Sequence, residues 1–336
     1  MSAKIISHIV RPEENGERLD KIVSRIELIG SRSRALHLIE SGRILMNGKT
    51  VKPSFICRTG QIINIDLPEE KVISHSPENL PIEILFEDAD IVVVNKPAGM
   101  VVHPAVGNES GTLVNALLHH CRDFEMKFGD IRPGIIHRID KETSGVLVIA
   151  KNDFSLDSVA RQFKARTTHR VYEAVVFGCP VPPSGRITSW LARSPNDRKK
   201  FSSVRTDRKN IIRDHSTPPS IGKWAATNYR LLRSSEPFSL LELRLETGRT
   251  HQIRVHLSEL GHPIVGDKTY GSDRKLSHLK NNKHKEIIQK LSRFLLHARD
   301  LAFDHPTTGQ RMNFSVPWPK EDQVILKNLG FYNDVE

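Results

Sequence analysis

Four short, nearly uninterrupted apolar runs constrain this chain more than any other feature. They are Ile91-Val-Val-Val94, Gly145-Val-Leu-Val-Ile149, Val171-Tyr-Glu-Ala-Val-Val-Phe177 and Leu240-Leu-Glu-Leu-Arg-Leu245. Runs of this kind suit strands buried on both faces, so the sheet they build needs cover on each side. Helical spacing lies between them: Leu156, Val159, Ala160 and Phe163 share one face, as do Ile253, Leu257 and Leu260 ahead of Gly261. Strands and helices do not alternate regularly, which argues against a doubly wound fold. An α+β domain over 81–330 with a central mixed, largely antiparallel sheet is the expectation.

Residues 1–67 read as a separate small α/β unit, with residues 68–80, rich in Glu, Ser and Pro, as a linker. Leu19, Ile22, Val23 and Ile26 form one helical stripe. Ser31 can cap a second helix whose inner face is Ala35, Leu38 and Ile39 and which Gly42 ends. Asn47-Gly48 between apolar runs is a strong hairpin signal, because both turn residues must take positive φ. Ile62, Ile63, Ile65 and Leu67 give a last strand. Arg32, Arg34 and His37 face away from the apolar stripe, with Arg43 just past the helix, and these donors could grip RNA phosphates.

The 336 residues carry a formal net charge of +11, which favours polyanionic partners. Two stretches, 198–213 and 274–290, are especially basic and read as surface loops or short exposed helices. Cys57, Cys121 and Cys179 are odd in number and form no CxxC pair, so a reducing cytoplasm is expected, with Cys121 and Cys179 as packing residues. No apolar stretch is long enough for a bilayer, and MSAKIISHIV lacks the core of a signal peptide.

The densest polar constellation is His137-Arg138-Ile139-Asp140-Lys141-Glu142-Thr143-Ser144-Gly145, leading directly into an apolar strand. Loop residues beside a buried strand are common sites of chemistry. Taken alone, the stretch reads first as ordinary turn material, with Asp140 capping the turn through Thr143 or Ser144. The rest of the chain changes that balance. Leu245-Glu-Thr-Gly-Arg249-Thr-His251-Gln-Ile-Arg254-Val-His256 continues into Gly261-His-Pro-Ile-Val-Gly-Asp267-Lys-Thr-Tyr270-Gly271, and Asn95-Lys96-Pro97-Ala98-Gly99-Met100 precedes both.

With these motifs the chain closely resembles the RluA/RluD-type pseudouridine synthases of large-subunit ribosomal RNA, over nearly its whole length. Its first unit resembles the alpha-L RNA-binding module, through Arg18-Leu-Asp, Ser31-Arg-Ser-Arg34 and Gly42-Arg-Ile-Leu-Met-Asn-Gly48. That resemblance implies the pseudouridine-synthase fold with a cleft across the middle of its sheet. It also implies Asp140 as the essential carboxylate, Arg254 as its partner, Tyr172 against the target base and Arg138 filling the space the uridine vacates. His137, Arg249 and Lys96 are further expected contacts to RNA, with Arg32, Arg34 and Arg43 on the first unit.

The chemistry accounts for these residue types. Breaking the C1′–N1 bond gives the ribose oxocarbenium character, which a carboxylate can stabilise by charge or covalently. A uridine within structured RNA must first be extruded. No cofactor or metal is implied, and His103, His119, His120, His256 and His262 form no HExxH set. The expected partner is structured RNA, ribosomal first and transfer RNA second, with no membrane and a monomeric protein. A non-catalytic RNA-binding factor, an N-glycosidase and a methyltransferase are the alternatives. The last lacks a glycine-rich strand-to-helix loop.

Overall fold

The computed structural model describes residues 4–26, 28–30, 32–67, 76–104, 108–121, 134–197, 199–207, 210–216 and 218–332. They form two compact units, Met1–Val72 and Ile73–Glu336. Among the described residues no helix is long and apolar enough to cross a membrane.

The first unit contains β1 (Lys4–Ile9), α1 (Leu19–Ser24), α2 (Arg32–Glu40), β2 (Ile44–Met46), β3 (Lys49–Thr50) and β4 (Ile62–Leu67). Its sheet runs β1-β4-β2-β3. Leu19, Ile22, Val23, Ala35, Leu38 and Ile39 bury the two helical stripes against Ile44, Ile63 and Ile65. Asn47 and Gly48 take φ of 47° and 76°, closing the β2–β3 hairpin as its turn chemistry demands. Strand β1 has no clear signal in the sequence, because Ile5 and Ile9 are exposed on an edge strand. Ile62 is exposed as well, so β4 turns only Ile63, Ile65 and Leu67 inward. Ser31 lies outside the described residues.

Buried Asp20 organises the basic face. It accepts two hydrogen bonds from Arg18, at 3.0 and 3.1 Å, and two from Arg32, at 3.1 and 2.9 Å. The Arg18 bonds, more than any other contact, hold its carboxyl down at about 2. Arg43 is paired with Asp66 at 3.0 Å. Arg32 and Arg43 are therefore ion-paired while about half exposed, rather than unengaged donors.

The second unit contains β5 (Glu83–Glu87), β6 (Ile91–Lys96), α3 (Leu113–His120), β7 (Ser144–Ala150), α4 (Asp153–Ala165), β8 (His169–Phe177), β9 (Ser184–Arg193) and β10 (Phe201–Ser203). Then follow β11 (Lys223–Ser235), β12 (Phe238–Leu245), α5 (Gln252–Glu259), α6 (Ser272–Ser277), α7 (Asn282–Gln289), β13 (Leu296–Asp304), β14 (Arg311–Ser315) and α8 (Lys320–Asn328). Its sheet runs β10-β9-β11-β12-β8-β13-β7-β6-β5, with β14 also on β13. The β13–β7 pair is parallel and the others are antiparallel. The mixed, largely antiparallel sheet expected from the sequence is what forms.

Alternate residues of the apolar runs divide between the two faces. Val92, Val94, Leu147, Ile149, Ala174, Val176, Leu241 and Leu243 pack with α3 and α5. Ile91, Val93, Val146 and Val148 pack with α4, and Val175, Phe177 and Leu240 with α7 and α8. The basic 198–213 stretch is not all loop: β10 adds an edge strand to β9, and Arg205 bridges to Ile211. Cys121 is buried as expected, whereas Cys179, expected as a packing residue, is exposed. Of the stretch read as linker, 68–75 lies outside the described residues. The amide of Glu78 donates to Asn115 O and its carboxylate accepts from Gly111 N, so 76–80 is attached beside α3.

Two fully buried histidines lock the second unit. His256 Nδ1 meets Thr227 Oγ1 at 2.9 Å and Nε2 meets Ser189 Oγ at 3.1 Å. His297 Nε2 donates to Val316 O at 3.1 Å, and Nδ1 accepts from Ser144 Oγ at 2.9 Å. Burial pushes both down to about 4. Their folded values lie below the ordinary 6.5, so their stabilisation is complete above pH 6.5 and declines as the pH falls toward 4. Each histidine removes at most about 1.4 kcal/mol per pH unit over that window. The urea midpoint of this unit is expected to drop between pH 7 and pH 5, before carboxylates held near 2, such as Glu246, take up protons. An unchanged midpoint over that interval would mean that these imidazoles are not buried as neutral groups.

Candidate active site

A cleft of about 500 Å³ opens on the face of the sheet that carries α5. Asp140, Tyr172 and Arg254 line it together with His137, Arg138 and Arg249. Asp140 lies in the loop before β7, and its position depends on close backbone packing. Gly145, one residue into β7, has φ of 117°, and a Cβ there would sit 2.1 Å from Ala298 O on the parallel neighbour β13. Only glycine lets β7 approach β13 this closely while the loop leaves the sheet edge.

Lys96 holds the same loop from below. It is fully buried, and its Nζ donates to Pro97 O at 2.7 Å, Met100 O at 2.9 Å and Lys141 O at 3.2 Å. Three carbonyls match the three donors of an ammonium group. Lys141 O also accepts from Gly99 N at 2.9 Å. Burial pushes the Lys96 amine down to about 7, opposed by the charges of Glu142 and Asp140. The lysine expected on an RNA phosphate is thus enclosed beneath the loop, because its acceptors come from two segments that fold over it.

The Asp140 carboxylate does not cap its own turn. The turn closes through main chain, Thr143 N to Asp140 O at 3.1 Å. Its Oδ2 instead accepts from Arg254 Nη1 at 3.1 Å. Arg254 is fixed in turn by Asp267, through Nε at 2.7 Å and Nη2 at 3.0 Å. Asp267 is buried and also accepts from Tyr270 N at 3.2 Å. The guanidinium lies over the rings of Phe294 and Tyr270, 4.4 and 4.9 Å from their centroids. Despite burial, these carboxylates raise the Arg254 pKa further. A two-point grip of this kind fixes both the plane and the direction of the third donor.

The start of α5 is anchored by Gln252. Its Oε1 accepts from Thr247 Oγ1 and Arg249 N, and its Nε2 donates to Ala226 O and Thr227 Oγ1, at 2.7 to 3.0 Å. His251 precedes it with φ of 56°, a left-handed conformation rare outside glycine. The Tyr270 hydroxyl shares a hydrogen bond with His251 Nδ1 at 2.8 Å, while Phe201 N donates to the same oxygen at 2.9 Å. Asp267 and Tyr270 stand inside a motif that marked the sequence, but their parts in holding Arg254 and His251 show only in three dimensions.

His137 lines the cleft. Its ring stacks on Phe163 at 4.5 Å, its Nε2 accepts from Val148 N at 3.3 Å, and burial pushes it down to about 3. It is a neutral wall of the cleft. Arg138 and Arg249 are exposed at the cleft, Arg249 with its Nε on Trp224 O at 3.0 Å. Arg32, Arg34 and Arg43 belong to the first unit. Among the described residues, one group could supply three metal ligands, Asp88, Asp90 and His305, and none of them lines the cleft. They already bond to one another and to Thr307.

Residues 90–259 match the RNA pseudouridylate synthase family, and residues 17–63 match the S4 domain. A protein of Zymomonas mobilis called ribosomal large subunit pseudouridine synthase D is 41% identical over 323 residues, covering 95% of each chain. An RNA pseudouridine synthase of Chlorobaculum parvum is 40% identical, covering 93% of this chain and 94% of its own. The structure of human RNA pseudouridylate synthase domain containing 4 superposes with a TM-score of 0.57 at 27% identity, covering 74% of this chain and 92% of its own. The chain therefore belongs to the RNA pseudouridine synthases, isomerases acting on RNA, and carries an RNA-binding S4 domain ahead of its catalytic unit.

Proposed function

We propose that this protein isomerises particular uridines of large-subunit ribosomal RNA and that Asp140 is its essential carboxylate. The observation that carries this reading is the Asp140–Arg254–Asp267 array at a cleft that Tyr172 also lines. The name of the Zymomonas relative supports the choice of RNA.

In this reading the extruded uridine enters the cleft with its base against Tyr172 and its ribose C1′ toward Asp140. As C1′–N1 breaks, the carboxylate stabilises the positive charge developing on the sugar. The freed uracil turns and bonds to C1′ through C5. The proton on C5 departs and N1 takes one up, so the atoms of the RNA are unchanged in number and no redox partner takes part. Arg254 orients the carboxylate toward the sugar. Arg138, exposed beside Asp140, fills the stack the uridine has left. On the first unit Arg32, Arg34 and Arg43 contact phosphates, with Asp20 and Asp66 setting the directions of two of them.

Pseudouridine mapping of total RNA from cells with and without the gene tests both reaction and substrate. One or a few large-subunit signals should vanish in the deletion and return with the wild-type protein but not with Asp140→Asn. Signals lost from transfer RNA alone would reassign the substrate, and full rescue by Asp140→Asn would remove Asp140 from the chemistry. Lys96→Met tests the part given to Lys96. It should lower kcat at least about tenfold by loosening the Asp140 loop, while the salt dependence of RNA binding keeps its slope. A slope reduced by about one unit would return Lys96 to a phosphate.

A further inference from the structure

Arg170 has no role in the reaction described above, yet its position is costly. It is 7% exposed, lies two residues before Tyr172 on β8, and shares the cleft-facing side of that strand. Its Nε is buried with no partner among the described residues. Its one hydrogen bond there is long, Nη2 to Leu245 O at 3.4 Å. The guanidinium lies 5.2 Å from the centre of the Phe163 ring; burial lowers its pKa, and the like charge of Arg249 adds to that lowering. Of the carboxylates on the cleft, Glu246 is bound by Arg186 at 2.7 and 2.8 Å and Asp140 by Arg254 at 3.1 Å. A buried cation without a counter-ion is unfavourable unless something else gains from it.

The surroundings indicate what gains. Lys164, Arg166 and Arg249 also line the cleft and are exposed. Gly248 leaves space for the buried guanidinium: a Cβ there would lie 2.9 Å from Arg170 Nη1. We infer that Arg170, with Arg249 beside it and Lys164 and Arg166 at the rim, forms a subsite for the phosphodiester that adjoins the extruded nucleotide. A planar guanidinium is suited to two-point binding of phosphate oxygens. Two strand residues separate Arg170 from Tyr172 by about 7 Å, so base and neighbouring phosphate can be engaged together. This inference rests on the reading of the cleft as the uridine site.

The test is a double-mutant cycle on binding. The probe is an RNA hairpin with one loop uridine, cut from the ribosomal RNA fragment the protein retains best on a filter. It is made with an uncharged methylphosphonate at the linkage 5′ or 3′ of that uridine. In the parent protein, one of the two replacements should weaken binding at least about tenfold. In Arg170→Met the same replacement should cost no more than about twofold, and the thermal midpoint should be unchanged or raised, because the buried charge is gone. Gly248→Ala keeps Arg170 but displaces its guanidinium, and it should reduce the methylphosphonate effect by the same route even if Arg170→Met folds poorly. Equal losses in parent and variants, or a parent indifferent to both linkages, would overturn the inference. Binding is read without turnover, so a protein that forms no pseudouridine would contradict the proposed function while leaving this cycle readable.

Discussion

One guanidinium organises the cleft. Arg254 is held on one edge by Asp267 and gives its remaining arm to Asp140, between the rings of Phe294 and Tyr270. Breaking a buried pair of this kind by removing one partner is far more damaging than the net worth of the pair suggests, because a charge is left behind. Arg254 comes from the first turn of α5, Asp267 from the turn after that helix, and Asp140 from the loop ahead of β7. The geometry of the proposed carboxylate is therefore a product of tertiary structure, and most of the second unit contributes to it.

Two devices deliver the loop and the helix to that meeting point. Lys96 ties the turn after β6 to the backbone following Asp140, and Gly145 lets β7 lie against β13. Gln252 uses all four of its amide hydrogen bonds to bind the start of α5 to β11 and to the Thr247–Arg249 turn. Strand β8 then runs beneath with Arg170 and Tyr172 on one face, supplying a cation and an aromatic ring at a fixed interval. Rigid elements hold the chemistry more closely than loops alone could.

Much of this was legible in the chain. Apolar runs located β6, β7, β8 and β12 because strands buried on both faces require them, and helical spacing located α4 and α5. Asn47-Gly48 located the hairpin. Strand β1 escaped because an edge strand with exposed Ile5 and Ile9 has too little buried side chain to leave a pattern. Lys96 misled because burial of a lysine is decided by partners far away in sequence, here the carbonyl of Lys141. That His137 is held neutral was not legible either, because burial in the folded chain decides it. Asp267 and Arg170 were visible as residues but not as parts of a site, since only the folded chain sets one against Arg254 and buries the Nε of the other without a hydrogen-bond partner among the described residues.

The central claim is that Asp267 acts through Arg254 to aim Asp140. Single-turnover isomerisation rates for the wild type, Asp267→Asn, Arg254→Lys and the double variant test it most directly, with melting curves to confirm that each protein is folded. The account predicts that each single change slows the step at least about tenfold and that the double variant is no slower than Arg254→Lys, a strong departure from additivity. Independent, multiplying losses, or an Asp267→Asn protein that turns over like the wild type, would contradict it.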